Sequence, residues 1–390
     1  MIKRYNQYTK DNTTTLNEKI GVTSDGEALS DFLIGYLSKA EVNKTYIFVK
    51  SEFEEDTKKM GVKSNDMLLK SMLKDKEMPE VVIVPDLPKL ENNIYKVYVN
   101  YVDVKLPYEA WFDPTSSKYT KNGYILYFTF LYKPDKDKIW KHVVYHEIHH
   151  SMQFVSMTKK KFGFNRKNIR MHILQKYPKT NVLLKDFLNY YYHSIKTEQD
   201  AVIAQFYGKL KHRKSIKSIT DLESVFKKRN IYEYRIAHSM AYCDLKKLFN
   251  LKMKNRQTGE IADIMTKDEL KEFFSILKYM GAEMNKCKNI EEFTKLQQQA
   301  SKDLTDIPLI SDEELEATID KYTKYFRKVG RNMIKKLDKT YALLRDHYID
   351  EFKNGPAPKK VSQIETDLKK IEPIKKFNDL NTSIHSDNWD

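Results

Sequence analysis

The sequence predicts an α+β protein, with an N-terminal α/β lobe built on a mixed sheet and a C-terminal lobe that is mainly helical. Three observations predict it. Compact β-branched and aromatic runs alternate with helical periods up to about residue 157, helix-capping patterns and amphipathic periods fill the chain beyond it, and a His-Glu-x-x-His sequence stands where the two parts meet.

Residues 1–23 are polar and threonine-rich and predict a flexible leader. Order is expected from Ser24-Asp25-Gly26-Glu27, a capping-box pattern followed by Leu29, Phe32, Leu33, Tyr36 and Leu37 at helical spacing. A short strand at 46–49 and a β-branched strand at 81–84, ended by Pro85, flank acidic and lysine-rich helical segments that reach about Lys76. Residues 94–104 then alternate, with Tyr95, Val97, Val99 and Tyr101 on one side and Lys96, Tyr98, Asn100 and Val102 on the other. Residues 123–132 are densely aromatic and β-branched, and the turn-rich loop 107–121 predicts that the two runs pair antiparallel.

Ile139, Trp140, Val143, Val144, Met152, Phe154 and Val155 recur at helical spacing, so this stretch reads as a helix with one buried side; Asp135 and Asp137 suit its N-terminal turn. On that helix His146 and His150, four residues apart, present two imidazoles to one point. Such a pair can clamp zinc, and Glu147 stands beside it, where a carboxylate can take a proton from a metal-activated water. The chemistry implied is hydrolysis. His142 and His149 are expected to support these residues or to lie at the surface.

Val143-Val144-Tyr145-His146-Glu147-Ile148-His149-His150-Ser151-Met152 resembles the extended signature of zincin metallopeptidases, in which uncharged residues flank the motif. It departs from that signature at His149, where the family has an apolar residue. The resemblance implies a zincin-like fold, in which the strand before the motif helix, here 124–132, forms a sheet edge and pairs with an extended peptide. Two imidazoles leave zinc short of its usual three protein ligands. Glu198 is the first candidate for the third, because it opens a segment with apolar Val202, Ile203 and Phe206 and with small Ala201 and Ala204, which would let two helices approach closely. Glu-x-x-Ala after the histidine motif resembles the third-ligand helix of gluzincins. Glu198 follows His150 by 48 positions, which implies an inserted helical segment at about 181–194. His193 and Asp200 are its rivals, and Asp200 could instead orient a ligand imidazole.

Beyond this point Thr220-x-x-Glu223, Thr266-x-x-Glu269 and Asn289-x-x-Glu292 each precede amphipathic stretches, the second expected to end at Gly281. Tyr232, Tyr234, Arg235, His238 and Tyr242 crowd one segment. Amide hydrolysis builds negative charge on the carbonyl oxygen, and His238, then Arg235 or Tyr234, are the expected donors to it. Ser311-Asp312-Glu313-Glu314 opens a long amphipathic helix over 311–353, with Gly330 a mild interruption. The expected organisation is a leader at 1–23, an α/β lobe with the motif helix at 24–157, a helical lobe with the third ligand at 158–310, the long helix at 311–353, and a mobile basic and polar tail at 354–390.

Composition narrows the function classes. A chain of 390 residues, 41% of them hydrophobic, can bury a sizeable core. The net charge of +15 comes mostly from lysines spread along the whole sequence, which reads as a solvated surface and does not favour nucleic acid as a partner. Cys243 and Cys287 have no C-x-x-C companion and read as free thiols of a reducing compartment. No secretory signal and no run near eighteen apolar residues is present, so membrane insertion is not expected. Nucleotide, dinucleotide, serine-hydrolase and EF-hand calcium motifs are absent.

Met1-Ile2-Lys3-Arg4-Tyr5-Asn6-Gln7-Tyr8 resembles the leader of internal head proteins in T4-like bacteriophages, and Leu16-Asn17-Glu18 is similar to the Leu-x-Glu sites that prohead proteases cut. That likeness implies a phage-encoded protein, working in the cytoplasm or packaged inside a particle. The expected function is a zinc endopeptidase with one Zn2+ per chain and a peptide or protein substrate. The alternative is a zincin-like structural or injected particle protein without proteolytic activity.

Overall fold

Helix α1 (Ser24–Leu37) is capped by Thr23, one residue before the expected Ser24: the Thr23 hydroxyl accepts from Gly26 N at 3.1 Å. Asp25 is thereby free to accept from the backbone N–H groups of Glu91 and Asn92, at 2.7 and 2.6 Å, pinning the loop before the central strands. The computed structural model describes residues 22–59, 79–104, 109–114, 116–134, 138–156, 181–250, 252–254, 261–263, 265–286 and 307–352. The expected tail, Asp135, Asp137, Asn289, Glu292 and Cys287 lie outside them, as does the expected leader apart from Val22 and Thr23.

Strands β1 (Lys44–Val49), β2 (Glu80–Val84), β3 (Ile94–Val102), β4 (Ala110–Phe112), β5 (Lys118–Thr120) and β6 (Gly123–Leu131) form one sheet, in the order β2-β1-β3-β6-β4, with β5 also on β6. A short helix, α2 (Glu54–Lys59), follows β1. The sheet is mixed, as expected: β1 runs parallel to β2 and antiparallel to β3. Two details differ from expectation. β3 and β6 pair parallel, not antiparallel, because the connection between them is long enough to cross over and carries β4 and β5, which take the antiparallel place on β6. β6 is therefore interior, and the strand at this edge of the sheet is β4.

The register of β3 on β6 shifts between Ile94 and Lys96, and this irregularity turns Tyr95 to the face of Tyr98 instead of the face of Val97, Val99 and Tyr101. Gly123, at φ +122°, makes the turn into β6 where a Cβ would stand 2.1 Å from Asn93 O, so only glycine fits.

The motif helix α3 (Lys141–Ser156) starts after the expected acidic turn, and its first turn contains no acid. Then come α4 (Asn181–His193), where the inserted helix is expected, α5 (Lys196–Lys211), α6 (Ile219–Lys228), α7 (Tyr232–Ala241), α8 (Leu245–Phe249), a small hairpin of β7 (Lys252–Lys254) and β8 (Ile261–Asp263), α9 (Lys267–Lys286) and the 41-residue α10 (Asp312–Phe352). The cap of α6 is Ser218, two residues before the expected Thr220, with its hydroxyl accepting from Asp221 N at 3.1 Å. Thr266 and Glu269 do form a reciprocal box, at 2.7 and 3.3 Å, but α9 runs on through Gly281. Gly330 does not interrupt α10. A Cβ there would lie 2.3 Å from Ala241 N and 2.6 Å from Ala237 O, so it lets α10 cross α7 backbone against backbone.

One cluster of buried apolar side chains extends from Val22 on α1's side of the sheet to Tyr348 near the end of α10. The motif helix runs through it, burying Val144, Ile148 and Met152. Each such side chain contributes roughly 1.5–3 kcal/mol. A smaller cluster of Ile47, Tyr95, Tyr98, Ile125 and Tyr127 lies on the opposite sheet face. Among the described residues, no helix is long and apolar enough to cross a membrane.

Candidate metal centre

Helices α3 and α5 pack antiparallel. Tyr145 lies against Gly208 at one end and Gln153 reaches Thr197 at the other. A Cβ on Gly208 would sit 2.3 Å from Tyr145 Cδ2, so this glycine sets the close approach that buried Ala201 and Ala204 continue along the helix. From the other side α1 grips both helices. Asp31 accepts from the Tyr145 hydroxyl at 2.6 Å and from Lys211 Nζ at 2.6 Å, His212 Nε2 lies 3.1 Å away, and Glu27 accepts from Tyr207 and Lys211. Burial works against the charge of Asp31, yet the bonds from His212, Lys211 and Tyr145 hold its carboxyl well below the usual range.

This packing brings three ligand atoms together. His146 Nε2 and His150 Nε2 are 3.2 Å apart, and Glu198 Oε2 lies 3.7 Å from the first and 3.5 Å from the second. Glu198 is 2% exposed, and its Oε2 has no hydrogen-bond partner among the described residues. Burial raises the proton affinity of Glu198, but the imidazoles of His150 and His146 and a hydrogen bond from Tyr192 outweigh it and keep the carboxylate charged. In turn burial disfavours a charge on His150, and the Glu198 carboxylate overrides it, raising His150 to about 9.

The set fits zinc. Bonds of about 2.1 Å in a tetrahedron place ligand atoms about 3.4 Å apart, and the three observed separations lie on either side of that value. Two neutral-nitrogen donors and one carboxylate are also the donor types that zinc takes.

Glu147 points elsewhere, towards the sheet edge. Its Oε2 accepts from Phe112 N at 2.7 Å, and its charge also acts on His150. Glu109 O and Asp113 N bond to β6, so in this antiparallel ladder Ala110 and Phe112 turn their main-chain groups the other way, to the open edge. The motif helix thus lies beside the edge of β4, which takes the sheet-edge position expected of 124–132.

The other candidates part from this centre. Asp200 is ion-paired with Lys336 on α10, and His193, though buried, does not belong to the converging group. His149 is buried and bonds to Gln153 at 2.8 Å. His142 is half-buried and held down to about 4, by burial first and then by Lys209 and Lys133. Tyr234 is fully buried with its hydroxyl on Asp338 at 2.7 Å, which Arg229 also binds, so it is not a donor to substrate. Arg235 and His238 lie on α7, where His238 has Tyr234 and Tyr242 as ring neighbours; among the described residues neither bonds to the three ligands. Cys243 is buried, and burial pushes its thiol up to about 11.

Three participants are absent from the sequence reading. Gln153, one turn beyond His150 on the same helix, is signalled by that spacing alone. Tyr192 carries no periodic signal, and the Phe112 N–H is a backbone group, which no residue type announces. No family model, curated protein or solved structure matches this chain.

Proposed function

We propose that this chain is a zinc-dependent peptidase of gluzincin type. The observation that carries the reading is the convergence of His146 Nε2, His150 Nε2 and Glu198 Oε2 at zinc-ligand spacing, with the carboxylate buried. A bound zinc supplies Lewis-acid chemistry and a water nucleophile near neutral pH.

The chain's own residues do the rest. His146, His150 and Glu198 hold the ion. Glu147 takes the proton of the attacking water and returns it to the leaving amine, which requires it to exchange the Phe112 N–H for the water as substrate arrives. The edge-facing main-chain groups of Ala110 and Phe112, the Phe112 N–H once Glu147 has released it, can align an extended peptide beside α3. Tyr192, half-buried and already bonded to Glu198, is a better-supported donor to the developing oxyanion than Arg235 or His238.

The test is Glu147→Gln, assayed for metal content and for cleavage of an unstructured protein such as casein. Zinc is expected at about one per chain, with cleavage reduced by about 10²–10⁴-fold. Cleavage that survives the substitution, or that resists a chelator, would sink the mechanism.

A further inference from the structure

We infer that Gln153 is the positioning residue of the metal centre: one amide group sets the tautomer of His150 and ties the Glu198 segment to the motif helix. The inference rests on the metal reading above. Gln153 is 7% exposed, and its amide has three neighbours. Nε2 lies 3.1 Å from Thr197 O and 2.8 Å from His149 Nε2, while Oε1 lies 3.0 Å from His150 Nδ1.

Each choice in this set forces the next. Thr197 O is a carbonyl oxygen and only accepts, so the amide atom facing it must be the NH2 group. Oε1 therefore faces His150, and because it cannot donate, His150 Nδ1 carries the proton. In neutral His150 the lone pair is left on Nε2, the atom that faces His146 and Glu198. The second amide N–H goes to His149 Nε2, which accepts it. His149, where the motif departs from the zincin signature, thus receives a bond that an apolar residue could not.

Thr197 immediately precedes Glu198. The amide that orients one ligand also holds the segment bearing another, and it does so without the ion. Asparagine would be a methylene too short. Glutamate keeps the acceptor for His150 but loses both donors, and methionine fills the volume with neither.

The experiment compares wild type, Gln153→Met and Gln153→Glu by three readouts. These are zinc affinity by chelator competition, the His150 Nδ1–H resonance of the zinc-loaded protein, and hydrogen exchange at the Ala201 and Val202 amides of the metal-free protein. Gln153→Met is expected to bind zinc about 10–100-fold more weakly. It should also lose the Nδ1–H resonance to solvent exchange, and its two amides should exchange about tenfold faster. Gln153→Glu should keep the resonance while its amides exchange faster, with zinc affinity between the other two.

A folded Gln153→Met that matches wild type in affinity and resonance overturns the inference. If Gln153→Met does not fold, Gln153→Glu decides: resonance kept with faster exchange supports the clamp, and any other combination overturns it. A wild type that takes up no zinc would instead be the failure of the peptidase reading. The metal-free exchange rates then judge the clamp alone, faster in Gln153→Met supporting it and unchanged overturning it.

Discussion

Glu198 is buried at the start of a helix, facing two imidazoles, and the metal reading depends on it more than on any other residue. Glu198→Ala and His150→Ala should each lose zinc by elemental analysis, whereas Asp200→Ala should keep it, since Asp200 is engaged with Lys336. Zinc retained in Glu198→Ala would remove the third ligand from this scheme. A second residue-scale expectation concerns acid. His142 and His238 are each lowered to about 4, by burial first and then by nearby cations. Below the ordinary histidine value of about 6.5 the unfolded chain takes up protons that the folded chain refuses until about pH 4. Stability is therefore lost as pH falls through that window and is unaffected by these groups above it. The drop in melting temperature between about pH 7 and pH 5 should be smaller in His142→Gln than in wild type, and equal drops would contradict the assignment. The convergence of His146, His150 and Glu198 was legible in the sequence, because helical spacing projects the two imidazoles together and small residues flag the approach of α5. The supporting groups were not, since Phe112 contributes a backbone N–H and Tyr192 reaches Glu198 from a separate helix.

Helices in this chain meet at glycines. Gly208 admits the Tyr145 ring and Gly330 admits the backbone of α7, so each marks a crossing where a methyl group has no room. Gly330→Ala should cost about 1–3 kcal/mol, read as a lower melting temperature with little change in zinc affinity. Gly208→Ala should cost a similar amount and also weaken zinc binding, because it pushes α5, and Glu198 with it, away from the motif helix. Equal zinc affinity in both variants would show that the spacing of α3 and α5 does not control the centre. At this scale β1, β2, β3, β6, the motif helix and the long α10 were legible in the sequence, whereas β4 and β5 lie in the stretch 107–121 expected to be a loop, and β7, β8 and α8 left no signal. The parallel pairing of β3 with β6 depends on where β4 and β5 lie, a long-range choice that no local period encodes. Likewise Gly330 reads locally as a weak point, and only the crossing of α7 shows it to be a contact.

At the scale of the whole molecule, the apolar cluster is continuous from α1 to α10, with the motif helix inside it. Asp31 adds a polar bond between α1, α3 and α5 at 2.6 Å to both Tyr145 and Lys211. Asp31→Ala should leave Lys211 without one of its partners and Tyr145 without its acceptor, costing about 1–3 kcal/mol and lowering zinc affinity, with Asp31→Asn intermediate. An unchanged melting temperature in Asp31→Ala would exclude this grip as a stabiliser. Asp31 and Lys211 also stand 180 positions apart, so the contact between them cannot form until α5 has left the ribosome. A nascent chain ending at α4 already has both imidazoles and Glu147, but neither Glu198 nor the lysine that closes on Asp31. Vectorial synthesis thus imposes an order of events: the two imidazoles and Glu147 are made early, and their meeting with Glu198 comes late.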